Sequence, residues 1–287
     1  MTVWWLLGGL GICLAAWSLE SARRVLNPDR RHISPPDSFP AYTVHPIVAR
    51  DGSRFDVWVL ETAAPRARLL LIHGYYANRH QVLDLAGGLR ARGYEILLFE
   101  LRGHGERPGP CTMGIRETTD AQAVLEWAAH RRDLERALPV GLLGLSMGAA
   151  VACQLAARER AVHAVVVDSI YSRLFPVLAR SLWQRYHLPA IPWAWLTWWS
   201  LQLSLRRRLA PLDPAVLAYR CRQPLLAIQG GEDRRVVPLL GREFYRCWAG
   251  PKERWFEERI AHVGMFARHP QEYCNRVADF FDRTLRT

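Results

Sequence analysis

Lysine is nearly missing from this chain. Lys252 is the only one among 38 basic residues, so arginine carries almost the whole of the net charge of +11. Those arginines are spread through every segment, and no aromatic-basic motif accompanies them, which excludes a nucleic-acid-binding module. A basic surface of this kind suits anionic lipid headgroups instead. The six cysteines include no closely spaced pair, and Cys13 stands apart in an apolar head. That spacing excludes a disulfide framework and a zinc site and fits a reducing compartment. Charge is absent from Met1 to Leu19. No basic residue precedes this apolar run and no A-x-A site follows it, so an anchor is preferred over a cleaved signal peptide. Ile12, where a small residue would be needed before Cys13, argues against a lipoprotein. Internal repeats are also lacking, so one globular unit is expected.

The uncharged head has tryptophans near both its ends, and as a helix at ~1.5 Å per residue it would measure about 26 to 28 Å, enough for a thin bilayer. Residues 1–22 are therefore expected to be a transmembrane anchor. Arg23, Arg24, Arg30 and Arg31 all follow it, which places the rest of the chain in the cytoplasm. Residues 23–41, punctuated by Pro28, Pro35, Pro36 and Pro40, read as an extended linker.

Residues 42–287 alternate short β-rich runs with helical patterns. Strands are expected over Phe55–Leu60, Arg68–Ile72, Glu95–Phe99, Val140–Leu145, His163–Val167, Pro224–Gln229 and Arg254–Glu257. Helices are expected over Gln81–Arg92, Glu117–Arg131, Met147–Arg158, Leu239–Trp248 and Pro270–Leu285. The alternation predicts an α/β fold, a mostly parallel sheet flanked by helices on both faces. It breaks between Asp168 and Pro224, and in a doubly wound fold an excursion from a strand's C-terminal end sits over the site. Residues 169–213 are therefore expected to form a helical cap insertion. Leu188–Leu205 is uncharged and long enough to suggest a second membrane span, but Pro189 and Pro192 interrupt it. Trp195, Trp198, Trp199 and Leu203 on one face predict an amphipathic cap helix.

Gly144-Leu145-Ser146-Met147-Gly148 follows an apolar strand and opens a helix rich in small residues. Such a turn exposes a serine hydroxyl, and flanking glycines permit strand and helix to approach closely. Further along the chain in both directions come His73-Gly74-Tyr75, Glu100-Leu101-Arg102-Gly103-His104-Gly105, Gly230-Gly231-Glu232-Asp233 and His262-Val263-Gly264-Met265-Phe266. In this order and spacing the chain resembles the α/β-hydrolase superfamily, and within it the membrane-anchored bacterial members related to serine aminopeptidases and monoacylglycerol lipases. Glu100 departs from the aspartate usual in that family.

The resemblance implies that Ser146 is a nucleophile, His262 its base and Asp233 the acid that orients the base. Asp168, ending an earlier strand, is the rival acid. The backbone N–H groups of Tyr75 and Met147 would hold the oxyanion, because a helix start offers free donors and a favourable dipole. His73 and His104 read as structural, and no metal or organic cofactor is implied. The cap from Ile170 to Leu212 holds no Asp or Glu but many tryptophans, Trp195, Trp198 and Trp199 among them, and six arginines. This disfavours an ammonium-bearing substrate and suits an acyl chain with a neutral or anionic head. The expected activity is hydrolysis of apolar or lipid-like carboxylic esters, with a membrane as further partner. Thioesterase, amidase or aminopeptidase chemistry on the same fold, or a non-catalytic scaffold, are the alternatives.

Overall fold

Strands buried on both faces must be apolar at nearly every position, and the middle of this chain meets that demand, its buried exceptions Arg68 and Glu95 being paired with each other. The computed structural model describes residues 2–30, 39–131 and 137–285, without the side chains of residues 2–4, 6, 7 and 10. Among the described residues eight strands form one sheet: β1 (Thr43–Val48), β2 (Arg54–Leu60), β3 (Ala67–Ile72), β4 (Tyr94–Phe99), β5 (Val140–Leu145), β6 (Val162–Asp168), β7 (Leu225–Gly230) and β8 (Lys252–Glu257), in the order β1-β2-β4-β3-β5-β6-β7-β8. From β4 onward in that order all neighbours are parallel, whereas β1 and β2 pair antiparallel at one edge. Every residue of β3, β4 and β7 is buried. β1 went unforeseen, because its exposed Val44 and Val48 and its Pro46 give no strand signal. Proline has no N–H to give to a ladder and is confined to such edges.

Among the described residues the α-helices are α1 (Thr2–Leu26), which precedes the sheet, and α2 (Leu83–Arg90), α3 (Ile115–Ala129), α4 (Met147–Ala156), α5 (Leu174–Tyr186), α6 (Trp195–Leu205), α7 (Pro214–Ala218), α8 (Pro238–Cys247), α9 (Met265–Arg268) and α10 (Pro270–Thr284), which alternate with its strands. Alternation along each strand divides the core in two. Leu70, Ile72, Leu97 and Phe99 meet α3 and α4 on one face; Leu69, Leu71, Ile96 and Leu98 meet α2 and α10 on the other. Each such leucine contributes about 2 kcal/mol by leaving water.

Between β6 and β7 the chain builds the expected cap from α5, α6 and α7. Its inner residues Leu178, Leu182, Ala194, Trp198 and Leu201 join the core layer of α3 and α4. The tryptophans of α6 do not share a face. Trp198 is buried and packs edge-on against Phe175, centroids 5.5 Å apart, while Trp195, Trp199 and Leu203, at i, i+4 and i+8, are exposed. The apolar surplus of α6 therefore exceeds what its inner face can bury.

The anchor expected over residues 1–22 is not confirmed. Among the described residues no helix is long and apolar enough to cross a membrane. α1 runs to Leu26, past the expected boundary at residue 22, and Ser18, Ser21, Ala22 and Leu26 are buried against the rest of the molecule. The physical reason is that the last turns are spent on protein packing. Of the expected linker, residues 23–26 continue α1, and Arg31, Pro35 and Pro36 lie outside the described residues.

Candidate active site

β5 ends at Leu145 and α4 begins at Met147, so Ser146 must turn the chain within one residue. It does so at φ 53° and ψ −112°, a conformation that L-residues take only where the surroundings impose it. The surroundings here are backbone. A Cβ on Gly144 would stand 2.3 Å from the carbonyl oxygen of Gly148, and one on Gly148 would stand 2.2 Å from that of Ile72. The Ser146 N–H donates to the Asp168 carbonyl at 2.8 Å, which ties the turn to β6.

His262 lies in the loop between β8 and α9, and its Nε2 is 2.9 Å from Ser146 Oγ. Its Nδ1 is 2.7 Å from Oδ2 of Asp233, in the turn after β7. Asp233 is buried, and its other oxygen accepts the N–H groups of Arg235 (2.9 Å) and Val236 (2.8 Å). Gln229 Nε2 adds a fourth donor, at 3.2 Å from Oδ2. Three of these donors lie outside the imidazole, and a carboxylate can only accept. The proton of the imidazole therefore sits on Nδ1, leaving Nε2 to accept from the serine hydroxyl.

The rival, Asp168, is placed otherwise. It accepts the hydroxyls of Ser169 (2.9 Å) and Tyr273 (3.2 Å), and burial pushes its carboxyl up to about 6. Ser169 Oγ in turn accepts the Val263 N–H at 3.0 Å, so Asp168 steadies the loop that carries His262 without bonding the imidazole. Nothing in the local sequence marks Ser169 or Gln229 for these supporting roles, although Asp168 adjoins Ser169 and Asp233 stands four residues after Gln229.

After β3 the loop turns back over Ser146, and a Cβ on Gly74 would lie 3.4 Å from that of Ser146. The Gly74 N–H is taken by Gln81 Oε1 at 2.7 Å. Among the described residues the N–H groups of Tyr75 and Met147 have no acceptor, the latter because the first turn of a helix has none of its own. His73 is spent on structure, with Nδ1 2.8 Å from the Gly74 carbonyl and Nε2 accepting the Leu101 N–H at 3.0 Å. Burial, with His73 beside it, pushes the His104 imidazole down to about 4, so it is neutral. Of the three tryptophans expected to meet substrate, Trp198 is a packing residue and Trp195 and Trp199 face outward.

The family model for serine aminopeptidase, S33, matches residues 63–207. The chain belongs to that family. The matched stretch includes Ser146 but stops before Asp233 and His262, which only the fold brings to the serine. A Mycobacterium tuberculosis relative, an uncharacterized protein, is 29% identical over 257 residues, 88% of this chain and 83% of its own length. The pimeloyl-[acyl-carrier protein] methyl ester esterase of Neisseria meningitidis is 32% identical over 108 residues, 37% of this chain and 38% of its own. The structure of a Pyrococcus furiosus esterase superposes with a TM-score of 0.76 at 24% identity, over 91% of this chain and 99% of that one. With the sheet order and the family match, this likeness makes the fold that of an α/β-hydrolase.

Proposed function

We propose that this S33 family member hydrolyses carboxylic esters of apolar, lipid-like acyl groups through an acyl-enzyme on Ser146. The observation that supports this reading is the bonded series from Asp233 through His262 to Ser146, at 2.7 and 2.9 Å. His262 Nε2 takes the hydroxyl proton as Oγ attacks the acyl carbon, and Asp233 stabilises the imidazolium that forms. The N–H groups of Tyr75 and Met147 hold the oxyanion. His262 then passes its proton to the leaving alcohol, and a water deprotonated by the same nitrogen releases the acid.

Ester rather than peptide amine is favoured by the cap, where Ile170 to Leu212 offer no carboxylate to an ammonium group. The acids nearest it are engaged: Asp213 accepts the Leu174 N–H at 2.9 Å, and Glu243 the Ser172 hydroxyl at 2.7 Å. Exposed Trp195, Trp199 and Leu203, followed by Arg206, Arg207 and Arg208, suit a lipid interface with anionic headgroups. On this reading α1, with Trp5 and Ile12 exposed, holds the chain at a membrane, with the hydrolase body on the cytoplasmic side.

Fluorophosphonate labelling of the parent and of Ser146→Ala tests the chemistry. A panel of short- and long-chain nitrophenyl esters, an acyl thioester and an aminoacyl amide tests the substrate class. Labelling and ester turnover should vanish together in Ser146→Ala; persistence of either there ends the assignment, and faster amide than ester turnover reassigns the substrate. Release of the full-length chain from membranes by alkaline carbonate would remove the membrane part alone.

A further inference from the structure

The last carbonyls of a helix have no donor within it and must find one outside. At the end of α1 the Arg23 carbonyl takes the backbone N–H of Asn27 at 2.9 Å and its Nδ2 at 2.8 Å. The donors to Val25 and Leu26 come from much farther along the chain. Tyr75 Oη donates to the Val25 carbonyl at 2.7 Å, and the backbone N–H of Cys111 donates to that of Leu26, also at 2.7 Å. Tyr75 bears one of the two N–H groups assigned to the oxyanion. The Cys111 thiol lies 3.8 Å from Sδ of Met147, which bears the other. One helix end thus reaches both halves of the oxyanion site.

The remainder of α1's second half is fastened to the cap. Ser18, Ser21, Ala22 and Leu26 recur at helical spacing and are buried. Ser200 Oγ on α6 donates to Ser18 Oγ at 3.0 Å, and Trp17 meets Trp193 edge-on with centroids 4.7 Å apart. Burial raises the Tyr75 phenol well above its ordinary range, so its hydroxyl remains a donor wherever the protein is folded.

We infer that the final turn of α1 is a working part of the hydrolytic site, holding the Tyr75 and Cys111 segments so that two N–H groups converge on one oxygen, with the Tyr75 hydroxyl as the positioning group. The inference rests on the reading of Ser146 as nucleophile. Were the hydroxyl only a cap for a helix end, its loss would cost stability and leave turnover alone. A donor displaced by a fraction of an ångström weakens transition-state binding while barely touching the ground state.

The test uses the full-length chain. Tyr75→Phe keeps the ring and the backbone N–H and deletes only Oη. Ala22→Trp drives a wedge between α1 and the body, because Ala22 is fully buried. Leu19→Trp is the control on the exposed side of the same helix. kcat and KM for nitrophenyl butyrate, melting temperature and the final extent of fluorophosphonate labelling are measured for each. Tyr75→Phe and Ala22→Trp should lower kcat about ten- to a hundred-fold with KM nearly unchanged and labelling still complete, while Leu19→Trp matches the parent. Where Ala22→Trp proves unstable, Tyr75→Phe alone decides. Parental kcat with a lowered melting temperature in Tyr75→Phe would overturn the inference and leave the nucleophile standing. An unlabelled, inactive parent would strike at Ser146 itself and take the inference with it.

Discussion

Replacing Asp233 by asparagine separates the acid's chemical role from its structural one. Oδ1 of Asp233 accepts two backbone N–H groups, from Arg235 and Val236, so an asparagine oxygen must take that place and its NH₂ must face His262. An amide donor there forces Nδ1 of the imidazole to accept, which moves the ring proton to Nε2 and points it at Ser146. The serine then has no base. A wrong tautomer of this kind lowers kcat by about 10⁴ in serine hydrolases with the same constellation, equivalent to about 5.5 kcal/mol of barrier. The fold should survive. Gln229 Nε2 would oppose the new NH₂, but Gln229 Oε1 has no partner among the described residues, so its amide can turn at a cost of about 1–2 kcal/mol. Initial rates on nitrophenyl butyrate, with a thermal melt of the same preparation, measure both effects. Turnover within ten-fold of the parent would refute the assignment of the acid, as would a larger loss in Asp168→Asn.

Other substitutions read other parts of the structure. Asp168→Asn should leave most turnover intact and change the pH dependence of stability. Burial lifts this carboxyl from its ordinary 3.8 to about 6, so its contribution to folding is complete below about pH 4 and is lost as pH rises through 6. The neutral variant should therefore gain on the parent by about 2.4 kcal/mol between pH 4 and pH 7.5; a difference that stays flat across urea titrations in that window would contradict the burial argument. Gly148→Ala should cost at least about 3 kcal/mol and most of the activity, since its Cβ would meet the Ile72 carbonyl at 2.2 Å; a variant melting with the parent would mean that strand and helix can part. Trp198→Ser should destabilise by about 3 kcal/mol or more, whereas Trp199→Ser, at a site 64% exposed, should spare stability and weaken binding to anionic liposomes. Equal liposome binding by the Trp199 variant and the parent would leave the outer face of α6 without a lipid role.

Much of this molecule was legible before folding, where the signal is local and repeated. Runs such as Leu69–Ile72 and Ile96–Phe99 are apolar at every residue because both faces of a central strand are covered, and the Gly144–Gly148 turn shows its purpose in its spacing. Ser146, His262 and Asp233 could be nominated for the same reason, each standing just past a strand in a recognisable turn. Their meeting could not be read from the sequence, since 116 residues separate His262 from Ser146 and the order of strands in the sheet decides the distance. β1 stayed hidden because an exposed edge strand with a proline has no pattern to show, and the tryptophans of α6 were assigned to one face because spacing records angle and not what lies opposite. α1 is the sharpest case. Its composition reads as a membrane segment, yet a helix's own sequence cannot say which of its apolar residues protein will cover. Only the packing of α6, Tyr75 and Cys111 against Ser18, Val25 and Leu26 decides that the last turns of this helix belong to the hydrolase.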